Sequence, residues 1–221
     1  MHPLATLRRL VLLFSLALSV CFLYSGCVKP KQPPMPVGSL KLGVAYFTQP
    51  GEPSEMLAGY VVEDAPRVDE KSLNDLDGLL ASVLSSESSN SFRSKESALH
   101  CAKTVGAREG RSNNQAALRT WSATGRCMGV DLLVVPQVLE YREREGGEFG
   151  VVVPAKVVMD IFVIDVRNES LISRSRFDEA QSALSSNLLE ADKFFKRGGK
   201  WISARDLAKE GMVKAVKELR L

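Results

Sequence analysis

Between Arg9 and Lys29 the chain carries no charge, and Leu10–Tyr24 is almost wholly apolar; beyond Ser39 the pattern breaks into short alternating runs and 3–4-spaced stripes. Leu40–Phe47 alternates and stops at Gln49-Pro50-Gly51, which predicts a first strand. In Ser72–Leu84, residues Leu73, Leu76, Leu79, Leu80, Val83 and Leu84 share one stripe. That predicts an amphipathic helix capped by Ser72 or Asn74, followed by a Ser-rich loop over Ser85–Ser91. Asn113–Met128 reads as a second helix, with Ala117, Leu118, Trp121 and Thr124 or Gly125 on one face and Gly129 as its stop.

Asp131–Glu145 begins as a continuous apolar run and turns to alternation, as a strand does on leaving a core. Pro136 lacks a ladder donor, so this strand is expected at an edge or bulged there. Glu145–Gly150 turns the chain into Val151–Val166, where Val157, Met159, Ile161 and Val163 share a face and Asp160 lies on the other. Arg167–Ser170 turns again into Leu171–Phe177, completing an antiparallel meander. Asn187–Arg197 predicts a helix stopped by Gly198-Gly199. The last helix is capped by Ser203, with Asp206 three later and Ile202 and Leu207 at the staple positions. Its buried stripe is Ala208, Gly211, Met212, Ala215, Val216 and Leu219. The expected fold class is α/β, with α+β as the alternative. It is a single domain with a mixed sheet, an antiparallel meander and amphipathic helices packed on it.

The N-terminal apolar run has a different meaning. Arg8 and Arg9 precede it without an acid, and its apolar core is short against the ~20 residues of a membrane-spanning helix. These are the marks of a secretory signal peptide over residues 1–26. Leu23-Tyr24-Ser25-Gly26-Cys27 resembles the lipobox of bacterial lipoproteins, except that Tyr24 stands where Leu is preferred. The resemblance implies that Cys27 becomes the new N-terminus and carries the acyl chains, palmitate included. An ordinary signal peptide or an uncleaved anchor helix is the alternative. No Asp follows Cys27, and by resemblance to sorting in enteric bacteria this implies the periplasmic face of the outer membrane rather than the inner membrane. Four prolines within Lys29–Pro36 favour extended polyproline II. Residues 27–38 therefore form a tether that lifts a globular periplasmic domain, 39–221, off the membrane.

Composition narrows the function classes. The 221 residues are 45% hydrophobic and 25% charged, too apolar and too weakly charged for a disordered chain. The net charge is +3 from 29 Lys+Arg against 26 Asp+Glu. Loss of Arg8 and Arg9 with the leader leaves 27 against 26. A nearly neutral domain has no electrostatic footprint for nucleic acid.

Candidate chemistry is sparse. Beyond the leader the only histidine is His100, and Ala98-Leu-His-Cys101 is not a nucleophile setting. No catalytic residue is assigned, although a cryptic envelope hydrolase using His100 stays open. Cys101 and Cys127 could join His100 around zinc, but no Cys-x-x-Cys pair supports a metal site. An oxidising periplasm favours a Cys101–Cys127 disulfide instead, with two buried free thiols as the alternative. No cofactor is expected. Glu140, Arg142, Glu143, Arg144 and Glu145 read as interleaved charges on a solvated ribbon rather than as paired acids. Lys193, Lys196, Arg197 and Lys200 read as a solvated helix end. Charges on both faces of Leu132–Val166 argue against a membrane pore in the monomer.

The stretches GVDLLVVPQVLEYREREGGEFGV, FDEAQSALSSNLLEADKFFKRGGKW and LAKEGMVKAVKEL resemble uncharacterised proteobacterial lipoproteins, especially of the delta-proteobacterial type. More distantly, the strand Leu42–Phe47 and the run Val130–Val135 are similar to periplasmic domains with the fold of the N-terminal part of the Tol-Pal translocation protein. Curli-secretion, penicillin-binding-protein-activator and Pel-export lipoproteins share that fold. The resemblance implies a non-enzymatic binding or assembly module of an envelope export or cell-wall complex. It would be held to the membrane by its N-terminal lipid and joined to an envelope protein partner. A homo-oligomeric, ring-forming secretion component is the second reading.

Overall fold

A computed structural model describes residues 40–106, 116–146, 151–180 and 201–221, all within one compact unit, Pro36–Leu221. The leader, Cys27, the tether, the Asn187–Arg197 helix and the basic group from Lys193 to Lys200 lie outside the described residues.

The chain folds as α/β around one mixed sheet with the strand order β2-β1-β3-β6-β7. β1 is Leu42–Val44, β2 Phe92–Arg93, β3 Leu132–Arg142, β6 Lys156–Asp165 and β7 Ser170–Ala180. β1 runs parallel to both β2 and β3, whereas β3, β6 and β7 form the expected antiparallel meander. Val151–Val166 is not one strand. Pro154 has no N–H to continue a ladder, so Val151–Val153 (β5) pairs instead with Glu145–Gly146 (β4) in a separate ribbon.

Four described helices cover the sheet: α1 Glu70–Glu87, α2 Lys95–Gly106, α3 Ala116–Met128 and α4 Ala204–Leu219. Phe162, Ile164, Leu133 and Val135 pack with Cys101, Trp121 and Met128 of α2 and α3 on one face. Alternate residues point the other way, and there α4 lays Gly211 on Met159 and Phe177, with α1 packed beside α4. Burial on both faces explains why β3 and β6 read as nearly continuous apolar runs. A helix-to-sheet contact of this closeness has no room for a side chain: a Cβ at Gly211 would sit 2.4 Å from Met159 Cε.

Helix starts depart from the sequence reading in one place. α1 begins two residues before Ser72, because Asp69 is the cap and its carboxylate accepts the Ser72 N–H at 2.9 Å. That bond holds the Asp69 carboxyl below its ordinary range. α1 also runs through Glu87, taking in part of the expected loop. Ser203 caps α4 as expected, accepting the Asp206 N–H at 3.1 Å. Gly129 ends α3 with φ +66°. The sequence reading assigned nothing to α2 or to the short strand β2.

Pro136 lies in the middle strand, not at an edge, and is in register with Ile161 of β6. Its missing donor faces the other neighbour. Ala45 N–H donates to the Val134 carbonyl at 2.8 Å, Thr48 N–H to the Pro136 carbonyl at 3.4 Å, and Val138 N–H to the Thr48 carbonyl at 2.9 Å. The chain after β1 thus spends three residue steps, Ala45 to Thr48, opposite two steps of β3. This is a bulge placed where proline offers no N–H.

Candidate functional site

The bulge opens onto a cleft. In a sheet ordered 2-1-3 the chain leaves β1 for β2 through α1, then passes back to β3 through α2 and α3. The two connections lie on opposite faces of the sheet, so a crevice opens beyond the carboxyl end of β1, where α/β proteins bind ligands. Here it has a volume of about 630 Å³. Its floor is Tyr46–Pro50, one wall is Glu70, Leu73, Asn74 and Asp77 of α1, and the other is Leu99, Ala117, Thr120 and Trp121 of α2 and α3.

The bulge also supplies the chemistry. Phe47 N–H, displaced from the β3 ladder, donates to Asp77 Oδ1 at 2.6 Å. Asp77 Oδ2 receives Lys95 Nζ at 3.1 Å, and the same ammonium reaches Asn74 Oδ1 at 3.4 Å. Burial pushes the Asp77 carboxyl up, while the Phe47 N–H and Lys95 pull it back toward the ionised form. Tyr46 stands edge-to-face on Trp121, centroids 5.4 Å apart and planes at 63°. Burial, and secondarily the Asp77 charge, raises the Tyr46 hydroxyl above its ordinary value. The result is an aromatic-walled cleft with a buried, partly neutralised carboxylate at its base.

A turn at Pro53–Glu55 roofs the sheet beside this cleft. Fully buried Gln137 holds it, donating Nε2 to the Glu55 carbonyl at 2.8 Å and accepting Leu57 N–H at 3.3 Å. Further along the same face, Asp160 is fully buried, and three guanidinium contacts satisfy it. Arg174 Nε and Nη2 reach its two oxygens at 2.8 and 2.9 Å, and Arg176 Nη1 reaches Oδ2 at 3.3 Å. Arg174 lies over the Phe162 ring and Arg176 over Tyr60. The fork of arginine suits a carboxylate that must be satisfied away from water.

The residues singled out in the sequence are dispersed. Cys101 and Cys127 are disulfide-bonded, Cα atoms 5.7 Å apart, and clamp α2 to α3 behind one wall of the cleft. His100 sits exposed on α2, outside the cleft lining. The charges after Val138 are not a free ribbon. Glu140 is buried against Lys156 at 2.6 Å, Glu143 accepts the Ala204 N–H at 3.1 Å, and Arg144 donates to the Trp201 carbonyl at 2.9 Å. The open N-terminus of α4 needs acceptors, and the end of β3 provides one. Among the described residues no group of His, Cys, Asp or Glu is arranged to hold a metal. No described helix is long and apolar enough to cross a membrane.

Tyr46, Asp77 and Trp121 were not read from the sequence as a site. One signal was present: Asp77 falls inside the apolar stripe of α1, four residues after Leu73 and three before Leu80. A carboxylate there must find partners or face a cavity, and Asp77 does both.

No family model matches the chain, and no curated protein matches it. Among solved structures, it is similar to a single-site variant of the PelC dodecamer from Paraburkholderia phytofirmans. They share 13% identity with a TM-score of 0.47, over 88% of this chain and 98% of that one. It is also similar to lipoprotein GNA1162 from Neisseria meningitidis, at 16% identity and a TM-score of 0.37 over 72% of this chain and 98% of that one.

Proposed function

We propose that the chain is a lipid-anchored envelope lipoprotein whose domain binds or assembles other envelope components through the cleft between α1 and α3. The reading is non-enzymatic. The observation that carries it is the cleft itself: a concave, largely apolar site with a few convergent polar groups, of a size common to ligand sites at ~300–1,000 Å³. Its walls are held rigid by a disulfide on one side and by the Asp77–Lys95–Phe47 bonds on the other.

Two features support the compartment. The leader ending Ser25-Gly26-Cys27 fits export with lipid attachment at Cys27, and a disulfide such as Cys101–Cys127 persists where the surroundings are oxidising. Attachment to the periplasmic face of the outer membrane, an export or wall-building partner, and kinship with delta-proteobacterial lipoproteins belong to the same proposal. Thr120→Arg places a long side chain in the cleft from a half-buried helix position. In a strain whose envelope phenotype depends on this protein, the variant should be made, anchored and folded, yet fail to complement. Full complementation by folded Thr120→Arg would refute the binding role of the cleft.

A further inference from the structure

We propose that the cleft receives a basic side chain, arginine or lysine, presented next to an apolar residue by an envelope protein; this rests on the binding role proposed above. Charge and surface both point there. Three carboxylates line the cleft, Glu55, Glu70 and Asp77, and among the described residues that line it none is Lys, Arg or His. Asp77 is already answered by Lys95 and by the Phe47 N–H. Glu55 is fixed in place because its Oε2 accepts the Gly51 N–H at 2.7 Å. Glu70 opens α1 at the cleft mouth. Neither Glu55 nor Glu70 is in an ion pair among the described residues. Like charges gathered in a low-dielectric cleft focus an attractive field on a cation.

The walls fit what comes attached to that cation. Tyr46, backed edge-on by the buried Trp121, gives aromatic surface for the aliphatic stem and the charged head of a basic side chain. Leu73 and Leu99 also line the cleft and suit an apolar neighbour. An anionic partner would be repelled by the two glutamates, and a purely polar one would leave the aromatic wall without an apolar cover.

The test uses the full chain in detergent micelles, calorimetry, and three capped peptides: Leu-Arg-Leu, Leu-Gln-Leu and Leu-Glu-Leu. The arginine peptide should bind about tenfold tighter than the glutamine peptide, on the strength of two partly exposed charge pairs. The glutamate peptide should bind weakest, and the preference should shrink as salt rises. The Glu55→Gln/Glu70→Gln double variant should lose the preference while holding the glutamine peptide as before. Equal binding of the arginine and glutamate peptides, or a preference that survives the double variant, overturns the proposal. If binding is indifferent to charge but Thr120→Arg abolishes it, the basic-side-chain inference falls and the binding role of the cleft stands. If Thr120→Arg leaves every affinity unchanged, both fall.

Discussion

Reducing one bond should loosen the whole cleft wall. The Cys101–Cys127 disulfide closes a loop over a sequence separation of 26 residues. In the chain-entropy model, opening a loop of this length returns about 12 cal/mol/K to the unfolded chain, which is about 3.5 kcal/mol at 25 °C. For a domain of this size each kcal/mol moves the melting temperature by roughly 2–4 °C, so reduction should lower Tm by roughly 7–14 °C. The folded state is otherwise untouched, since no residue is replaced. Cys127 is exposed, so a soluble reductant can reach the bond, whereas Cys101 is buried in the α2–α3 cluster. Thermal melts of the same preparation with and without reductant measure the difference. Alkylation under denaturing, non-reducing conditions reports on the bond itself, and neither thiol should be labelled. Equal melting temperatures in the two states, or labelling of both cysteines before reduction, would refute the clamp.

Other perturbations test separate parts of the account. Asp160→Ala leaves Arg174 and Arg176 without their shared buried carboxylate; because both arginine side chains keep about a quarter of their surface in water, the loss should be about 2–3 kcal/mol, below the full cost of a broken buried pair, and visible in urea unfolding. Gly211→Ala drives a methyl into Phe177 and Met159 and should cost about 1–2 kcal/mol. Gly78→Ala, also in a helix but with nothing within 4 Å of the new methyl, should instead gain about 0.5–1 kcal/mol; the opposite signs are the check. Asp165 closes the β6–β7 turn by accepting the Asn168 and Arg167 N–H groups at 2.8 and 2.9 Å, which hold its carboxyl below the ordinary range. A depressed carboxyl stabilises the fold above its unfolded value of about 3.9 and loses that effect as pH falls through the lower folded value. The Tm gap between wild type and Asp165→Ala should therefore be widest near neutral pH and close in strong acid; a gap that stays constant with pH would contradict the turn's dependence on charge.

Much of the fold was legible because burial imposes period. The stripe from Leu76 to Leu84, the runs over β3 and β6, and the Ser203 cap each follow from one-dimensional patterning. α2 escaped because only Ala98, Cys101 and Val105 of its twelve residues are buried, too thin a stripe to stand out. β2 is two residues long and has no period at all. Pro136 was readable as a disturbance, but its location was not: the bulge sits on the neighbouring segment, Ala45–Thr48, and only the sheet order reveals that. The same holds for the site. Tyr46, Asp77 and Trp121 come from a strand end and two helices, and nothing local in the sequence links them. Asp160 was legible only as lying on the face opposite Val157 and Ile161, and Glu140 as a solvated charge, because alternation gives the face a residue is on, not what covers that face.

The proposed role requires this domain to work from a membrane, tethered through Cys27. Its most direct test is metabolic labelling with a palmitate analogue, followed by fractionation of cells producing the full chain or its Cys27→Ala variant. The account expects label on the wild-type protein, its recovery with membranes, and loss of label together with release of a folded domain in Cys27→Ala. An unlabelled wild-type chain, or a Cys27→Ala chain that still sediments with membranes, would contradict it.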